Sequence, residues 1–94
     1  MLTLVIYDIS DNKDRNNLIK KLQHYGLHRI QKSAFLGDIN CSKRTELEGK
    51  VAEDLSGPKD SIYFVPICDK CRGLTNIFSE DDRILVDEKN YKII

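Results

Sequence analysis

The chain has 94 residues, 40% of them apolar and 32% charged, with fifteen basic side chains balanced by fifteen acidic ones. That mixture suits one small folded domain and excludes a disordered chain, while zero net charge excludes capture of nucleic acid by bulk charge alone. No apolar run exceeds about five residues, too short for a membrane span or a secretory leader, so a cytoplasmic protein without membrane contact is expected.

The elements follow in order. Leu2-Thr3-Leu4-Val5-Ile6 reads as a short buried strand that runs into Tyr7-Asp8-Ile9-Ser10-Asp11-Asn12. A helix is predicted over about Lys13 to Tyr25, where Leu18, Ile19, Leu22 and Tyr25 make one apolar stripe. Ser10 or Asp11 can cap its start, and Gly26 sits where a helix takes a left-handed stop. A second strand is predicted from about Leu27 to Leu36. Ile30, Ala34 and Leu36 lie on one of its faces, and Arg29, Gln31, Ser33 and Phe35 on the other, with a bend or bulge at Gly37-Asp38.

A second helix is expected over about Lys43 to Leu55, on the four-residue recurrence of Leu47, Val51 and Leu55, with Ser42 as its cap and Gly57-Pro58 as its end. Ser61 to Ile67 is a third strand, with Pro66 marking an edge or a bulge. Arg83 to Val86 and Tyr91 to Ile94 are further β-prone runs. This order predicts an α+β, ferredoxin-like sandwich: two helices on one face of an antiparallel sheet, in a single domain spanning residues 1–94. A sheet so covered leaves a second apolar face bare. A homodimer packed sheet to sheet is the expected solution, with the tail from about residue 83 completing the dimer's sheet.

Charge is unevenly spread. Between Asn12 and Leu36 stand Lys13, Arg15, Lys20, Lys21, Arg29 and Lys32 against Asp14 alone, whereas Ser79 to Glu88 holds five carboxylates against Arg83. A basic face and an acidic face follow from this, or simply two solvated surfaces. Cys41 and the Cys68-Asp69-Lys70-Cys71 pair make an odd count of thiols, which argues against a disulfide framework. The pair is half of a structural zinc site that a twofold dimer would complete, or else two small loop-lining thiols.

Asp8 is the residue on which function turns. A carboxylate ending a buried strand must be paired, hydrogen-bonded or bound to a cation. It either caps its loop, satisfied by amides, or meets its symmetry mate across a twofold axis and shares a divalent ion with it. Arg15 and Arg29 have the fork geometry that suits phosphate and can both face the region of Asp8. Tyr7 and Phe35 are packing residues, or rings that stack on a base. Walker-type loops, HExxH motifs and nucleophile elbows are absent from the sequence.

Val5-Ile6-Tyr7-Asp8-Ile9-Ser10-Asp11, Arg15-Asn16, Tyr25-Gly26-Leu27 and the block from Arg29 to Gly37 together resemble the smaller of the two core CRISPR-associated spacer-acquisition proteins. Members are often labelled CRISPR-associated endoribonucleases. The resemblance runs the length of the chain and implies a ferredoxin-like βαββαβ homodimer. Its two Asp8 side chains would share one Mg²⁺ or Mn²⁺ for metal-dependent cleavage of RNA or DNA. It also implies an architectural role, in which the dimer bridges two dimers of the CRISPR integrase subunit and binds the duplex to be inserted. By motif position Tyr7, Asp8 and Ser33 are the implied catalytic residues, with Asp8 the metal ligand. Arg15, Arg29 and Phe35, together with Lys20 and Lys21 of the helix, are the expected nucleic-acid contacts. Asn17 stands where some members carry a second helix arginine, and Lys32 replaces an aromatic often found before the serine. The competing class is a small ferredoxin-like regulatory or metabolite-binding domain without catalysis. It lacks support from any glycine-rich or convergent polar loop.

Overall fold

A computed structural model of the chain describes residues 1–74, 76–77 and 92–93. Its elements are β1 (Leu2–Asp8), α1 (Asn12–His24), β2 (His28–Gln31), β3 (Ala34–Asp38), α2 (Cys41–Val51), a 3₁₀ turn (Ala52–Asp54), β4 (Ser61–Ile67), α3 (Asp69–Arg72), β5 (Asn76–Ile77) and β6 (Lys92–Ile93). The first four strands form one antiparallel sheet in the order β2-β3-β1-β4. That order, with α1 and α2 against one face, is the ferredoxin-like arrangement expected from the sequence. Among the described residues no helix is long and apolar enough to cross a membrane.

The region read as one long strand is in fact a hairpin. Lys32 and Ser33 link β2 to β3, and the ladder shifts register between Arg29 and Gln31. No residue there has positive φ, so the connection is not one of the glycine- or asparagine-rich turns that announce a hairpin. The bulge beside Ile30 supplies the twist instead. Gly37, expected at a bend, lies inside β3, and a Cβ there would come within 2.9 Å of the Leu27 Cα. Only glycine admits that close approach.

The two long helices, α1 and α2, each start on a short polar cap. The Asp14 amide donates to Asp11 Oδ1 at 2.9 Å, and the Lys43 amide to Asn40 Oδ1 at 2.8 Å. The second cap is therefore Asn40 rather than Ser42, and α2 begins two residues earlier than expected. It also ends earlier: the backbone tightens into the 3₁₀ turn at Ala52, which takes Leu55 off the apolar stripe and leaves it exposed. Gly26, at φ +86°, gives α1 its left-handed stop.

Val5, Tyr7 and Phe35 of the sheet meet Leu18, Leu22, Leu47 and Val51 of the helices in the main core. Fully burying one such side chain contributes about 1.5–3 kcal/mol. Beside the core, Asp54 is buried and accepts from Lys21 Nζ at 3.0 Å, tying α1 to the end of α2. Burial works against the Lys21 ammonium, but hydrogen bonds to Glu53 and Asp54 outweigh it and hold its pKa above the ordinary lysine value.

The opposite face of the sheet is covered only in part. Leu2 and Leu36 are buried there against Leu4, Ile30 and Ile67, but Ile6, Tyr63 and Val65 remain 40%, 61% and 40% exposed. β4 is an edge strand, which accommodates Pro66. Lys92–Ile93 pairs in parallel with Asn76–Ile77 of the same chain. The Arg83–Val86 run and its neighbouring carboxylates lie outside the described residues.

Because Phe35 is fully enclosed, truncation to alanine should cost about 3–5 kcal/mol. Urea denaturation of Phe35→Ala measures it, and an unchanged midpoint would contradict the core placement.

Candidate nucleic-acid interface

Alternation along β1 places Val5 and Tyr7 on the helix side and Ile6 and Asp8 on the bare side. Asp8 pairs with Ser61 of β4, while the ladder to β3 stops at Ile6. The Asp8 carboxylate is exposed, and among the described residues it has no hydrogen-bond or ion-pair partner. Capping by loop amides is thus not its role: the Ser10 amide donates to Asp60, and Asp11 caps α1. Among the described residues no three His, Cys, Asp or Glu side chains gather to hold a metal. One carboxylate with open space around it fits a divalent ion only as part of a shared site, where a second copy and water complete the oxygen ligands.

The arginines gather elsewhere at the same end of the sheet. Arg15, in the first turn of α1, donates through Nη1 to the Ile9 carbonyl at 2.9 Å and through Nη2 to Asn12 Oδ1. Arg29 donates to the carbonyls of Gln31 at 3.3 Å and Lys32 at 2.9 Å. Backbone carbonyls therefore steer both guanidinium groups, and Arg15, Arg29, Lys32 and Ser33 line an open depression of about 440 Å³. Three cations and a hydroxyl, with no carboxylate among the lining residues, suit a phosphate group. Asp8 is not part of this lining. The expectation that the arginines face Asp8 is corrected to two neighbouring features, one on each side of the sheet. Lys32 is the member that sequence reasoning left out, although its place among the six basic residues of this region was a usable signal.

Three other expected site residues need correction. Phe35 is 0% exposed and packs 6.2 Å, ring to ring, from Tyr7, so neither a base nor any solvent reaches it. Tyr7 is 2% exposed and donates its hydroxyl to the Lys32 carbonyl at 2.7 Å. It shapes the hairpin turn from beneath and is not placed to touch a substrate. Lys21 is engaged by Glu53 and Asp54 at 2.8 and 3.0 Å, leaving Lys20 as the exposed cation of that pair. Ser33 is exposed in the turn, and its carbonyl accepts from the Tyr7 amide at 3.0 Å.

Asp60 organises the approach to this end of the sheet. One of its oxygens accepts from the Ser10 amide and hydroxyl, both at 3.1 Å, and the other from the amides of Gly57 at 2.9 Å and Ser56 at 3.3 Å. It thereby ties the loop after Asp8 to the loop before β4. The Gly57 amide, followed by the Ser10 amide, holds the Asp60 carboxyl below the usual aspartate range. A depressed carboxyl pKa stabilises the fold above the unfolded value of about 3.9, and the benefit is lost as the pH falls through the lower folded value. Asp60→Ala should therefore melt below wild type at pH 7, and the gap should close below about pH 4. Thermal melts across that range check it; a gap independent of pH would contradict the clamp.

Comparison with known proteins follows the same lines. The family model for CRISPR associated protein Cas2 matches residues 1–75. A CRISPR-associated endoribonuclease Cas2 of Archaeoglobus fulgidus is 37% identical over 94 residues, the full length of both chains. Its counterpart in Korarchaeum cryptofilum is 42% identical over 67 residues, covering 71% of this chain and 72% of its own. Among solved structures, Streptococcus pyogenes Cas2 superposes with a TM-score of 0.65 at 23% identity, covering 72% of this chain and 87% of that one, a likeness of fold. A hypothetical protein from Thermus thermophilus gives 0.65 at 28% identity, covering 71% and 80%.

Proposed function

Since this chain belongs to the Cas2 family of CRISPR-associated proteins, we propose that it acts in CRISPR adaptation as a homodimeric, metal-dependent endonuclease and duplex-binding bridge between integrase dimers. The observation that carries this reading is Asp8: an exposed carboxylate without a partner among the described residues, on the same bare sheet face as Ile6, Tyr63 and Val65. Apolar surface of that kind is normally covered by another chain. A second copy laid across it on a twofold axis brings two Asp8 side chains to one place.

Paired in this way, the two Asp8 carboxylates hold one Mg²⁺, with Mn²⁺ as an alternative. When bound, the ion supplies Lewis-acid stabilisation of charge on a phosphate oxygen. Arg15, Arg29 and Lys32 neutralise and orient the backbone phosphates of RNA or DNA, and the Ser33 hydroxyl donates to a phosphate oxygen. Tyr7 acts only by fixing the Lys32 carbonyl that Arg29 also uses. Asp8→Asn should abolish phosphodiester cleavage in Mg²⁺ while leaving the dimer intact by light scattering. Cleavage at the wild-type rate would reject the catalytic assignment.

The separation of the phosphate-binding depression from Asp8 supports a second role, in which duplex is gripped without being cut. Replacing Arg15 and Arg29 by glutamine should weaken duplex binding and lower the slope of log affinity against log salt by about 2. Titrations at several salt concentrations check this, and an unaltered slope would reject the interface.

A further inference from the structure

The hairpin carries a second depression that the phosphate chemistry does not use. Arg29, Ile30, Gln31 and Lys32 line an open hollow of about 300 Å³, which shares Arg29 and Lys32 with the cationic depression. The bulge decides what this hollow presents. Arg29 stands opposite Phe35, but Gln31 stands opposite Ala34, and residues directly opposite on paired strands share a face. Phe35 and Ala34 are neighbours on β3 and so face opposite ways. The shift in register therefore turns Gln31 from the helix side onto the bare face. It stands there in one row with Ala34 and Ile6, on the side where Asp8 emerges.

The lining combines three kinds of contact. Ile30 is half-buried against the small apolar cluster of Leu2 and Leu36 and makes an apolar floor. Gln31 is exposed; its carbonyl accepts from Arg29 Nε at 3.3 Å, while its side-chain amide has no hydrogen-bond partner among the described residues. The Arg29 guanidinium, held at the turn by the carbonyls of Gln31 and Lys32, belongs to both depressions. A planar guanidinium stacks on a base as readily as it meets a phosphate. An apolar floor, a stacking cation and an unengaged amide beside a phosphate cradle are the parts that hold one nucleotide with its base unstacked.

Given a phosphate bound among Arg15, Arg29 and Lys32, as in the proposed function, we propose that Gln31 selects the base at this site. Its side-chain amide pairs with an unpaired adenine that lies in the hollow over Ile30. A glutamine amide offers a donor beside an acceptor, and adenine answers with an amino donor beside a ring-nitrogen acceptor on both its Watson–Crick and Hoogsteen edges. Adenine therefore fits in either orientation. Cytosine and uracil match on one edge only, and the N7/O6 edge of guanine offers acceptors alone. A base stacked inside a duplex does not enter the hollow, so the selection applies to unpaired RNA or DNA. The nucleotide crosses the hairpin from the cationic depression toward the Asp8 side of the sheet and so links two features that otherwise lie apart.

The test uses the full chain with a chelator present, so that no strand is cut, and follows fluorescence anisotropy of short labelled uridine strands carrying one central adenine, cytosine or guanine. The adenine strand should bind about tenfold more tightly than the others. Gln31→Leu should level the affinities without altering the salt slope, whereas Arg15→Gln should weaken every strand together and keep their ratio. The same sequences annealed into duplex should show no dependence on Gln31. Equal affinities with a normal salt slope would overturn the base selection alone, and a preference that survives Gln31→Leu would overturn its assignment to that residue. Absence of salt-dependent binding by any strand would overturn it together with the phosphate interface.

Discussion

Alternation along β1 is the constraint from which the rest of the molecule follows. Because neighbouring side chains on a strand face opposite ways, Tyr7 enters the core beneath the helices and Asp8 emerges on the uncovered face. Slipping the strand by one residue would bury the carboxylate and expel the tyrosine, and both changes are costly. The apolar demand of Val5 and Tyr7 against α1 and α2 therefore determines where the charge stands. Asp8 is held in the open by packing energy on the other side of the sheet.

The hairpin after α1 does a related job for the arginines. The Lys32 carbonyl accepts from Tyr7 below and from Arg29 beside it, so the buried ring and the exposed guanidinium share one anchor. Arg15 is steered in the same manner by the Ile9 carbonyl. Neutral oxygens, mostly backbone carbonyls, rather than carboxylates hold both cations, which leaves their positive charge unneutralised and available to an anion. Lys21 shows the contrast: with Glu53 and Asp54 around it, it serves as a structural tie. The electrostatic character of this end of the chain thus depends less on the number of basic residues than on what holds each one.

Much of this was legible in the sequence. The stripe of Leu18 and Leu22, the Asp11 cap, the Gly26 stop and the Ser61–Ile67 strand all rest on local periodicity and capping, which short-range physics sets. The hairpin was not, because Gln31, Lys32 and Ser33 lack the residues that demand positive φ and the alternation reads through them unbroken. Burial of Phe35 was equally hidden. Its strand partners show which residues share its face, but only the arrival of α1 and α2 decides which face is inside. The Asp60 clamp joins positions 50 residues apart, beyond the reach of any local pattern.

Two features consequently face opposite ways at the C-terminal end of β1: a carboxylate and a cationic depression. The first is incomplete in a single chain, since one aspartate is a poor divalent site. Its completion by symmetry is the central claim, and metal stoichiometry tests it most directly. Calorimetric titration of the dimer with Mn²⁺ should give one ion for every two chains, with binding lost in Asp8→Asn. One ion per chain, or uptake indifferent to that substitution, would contradict the shared site.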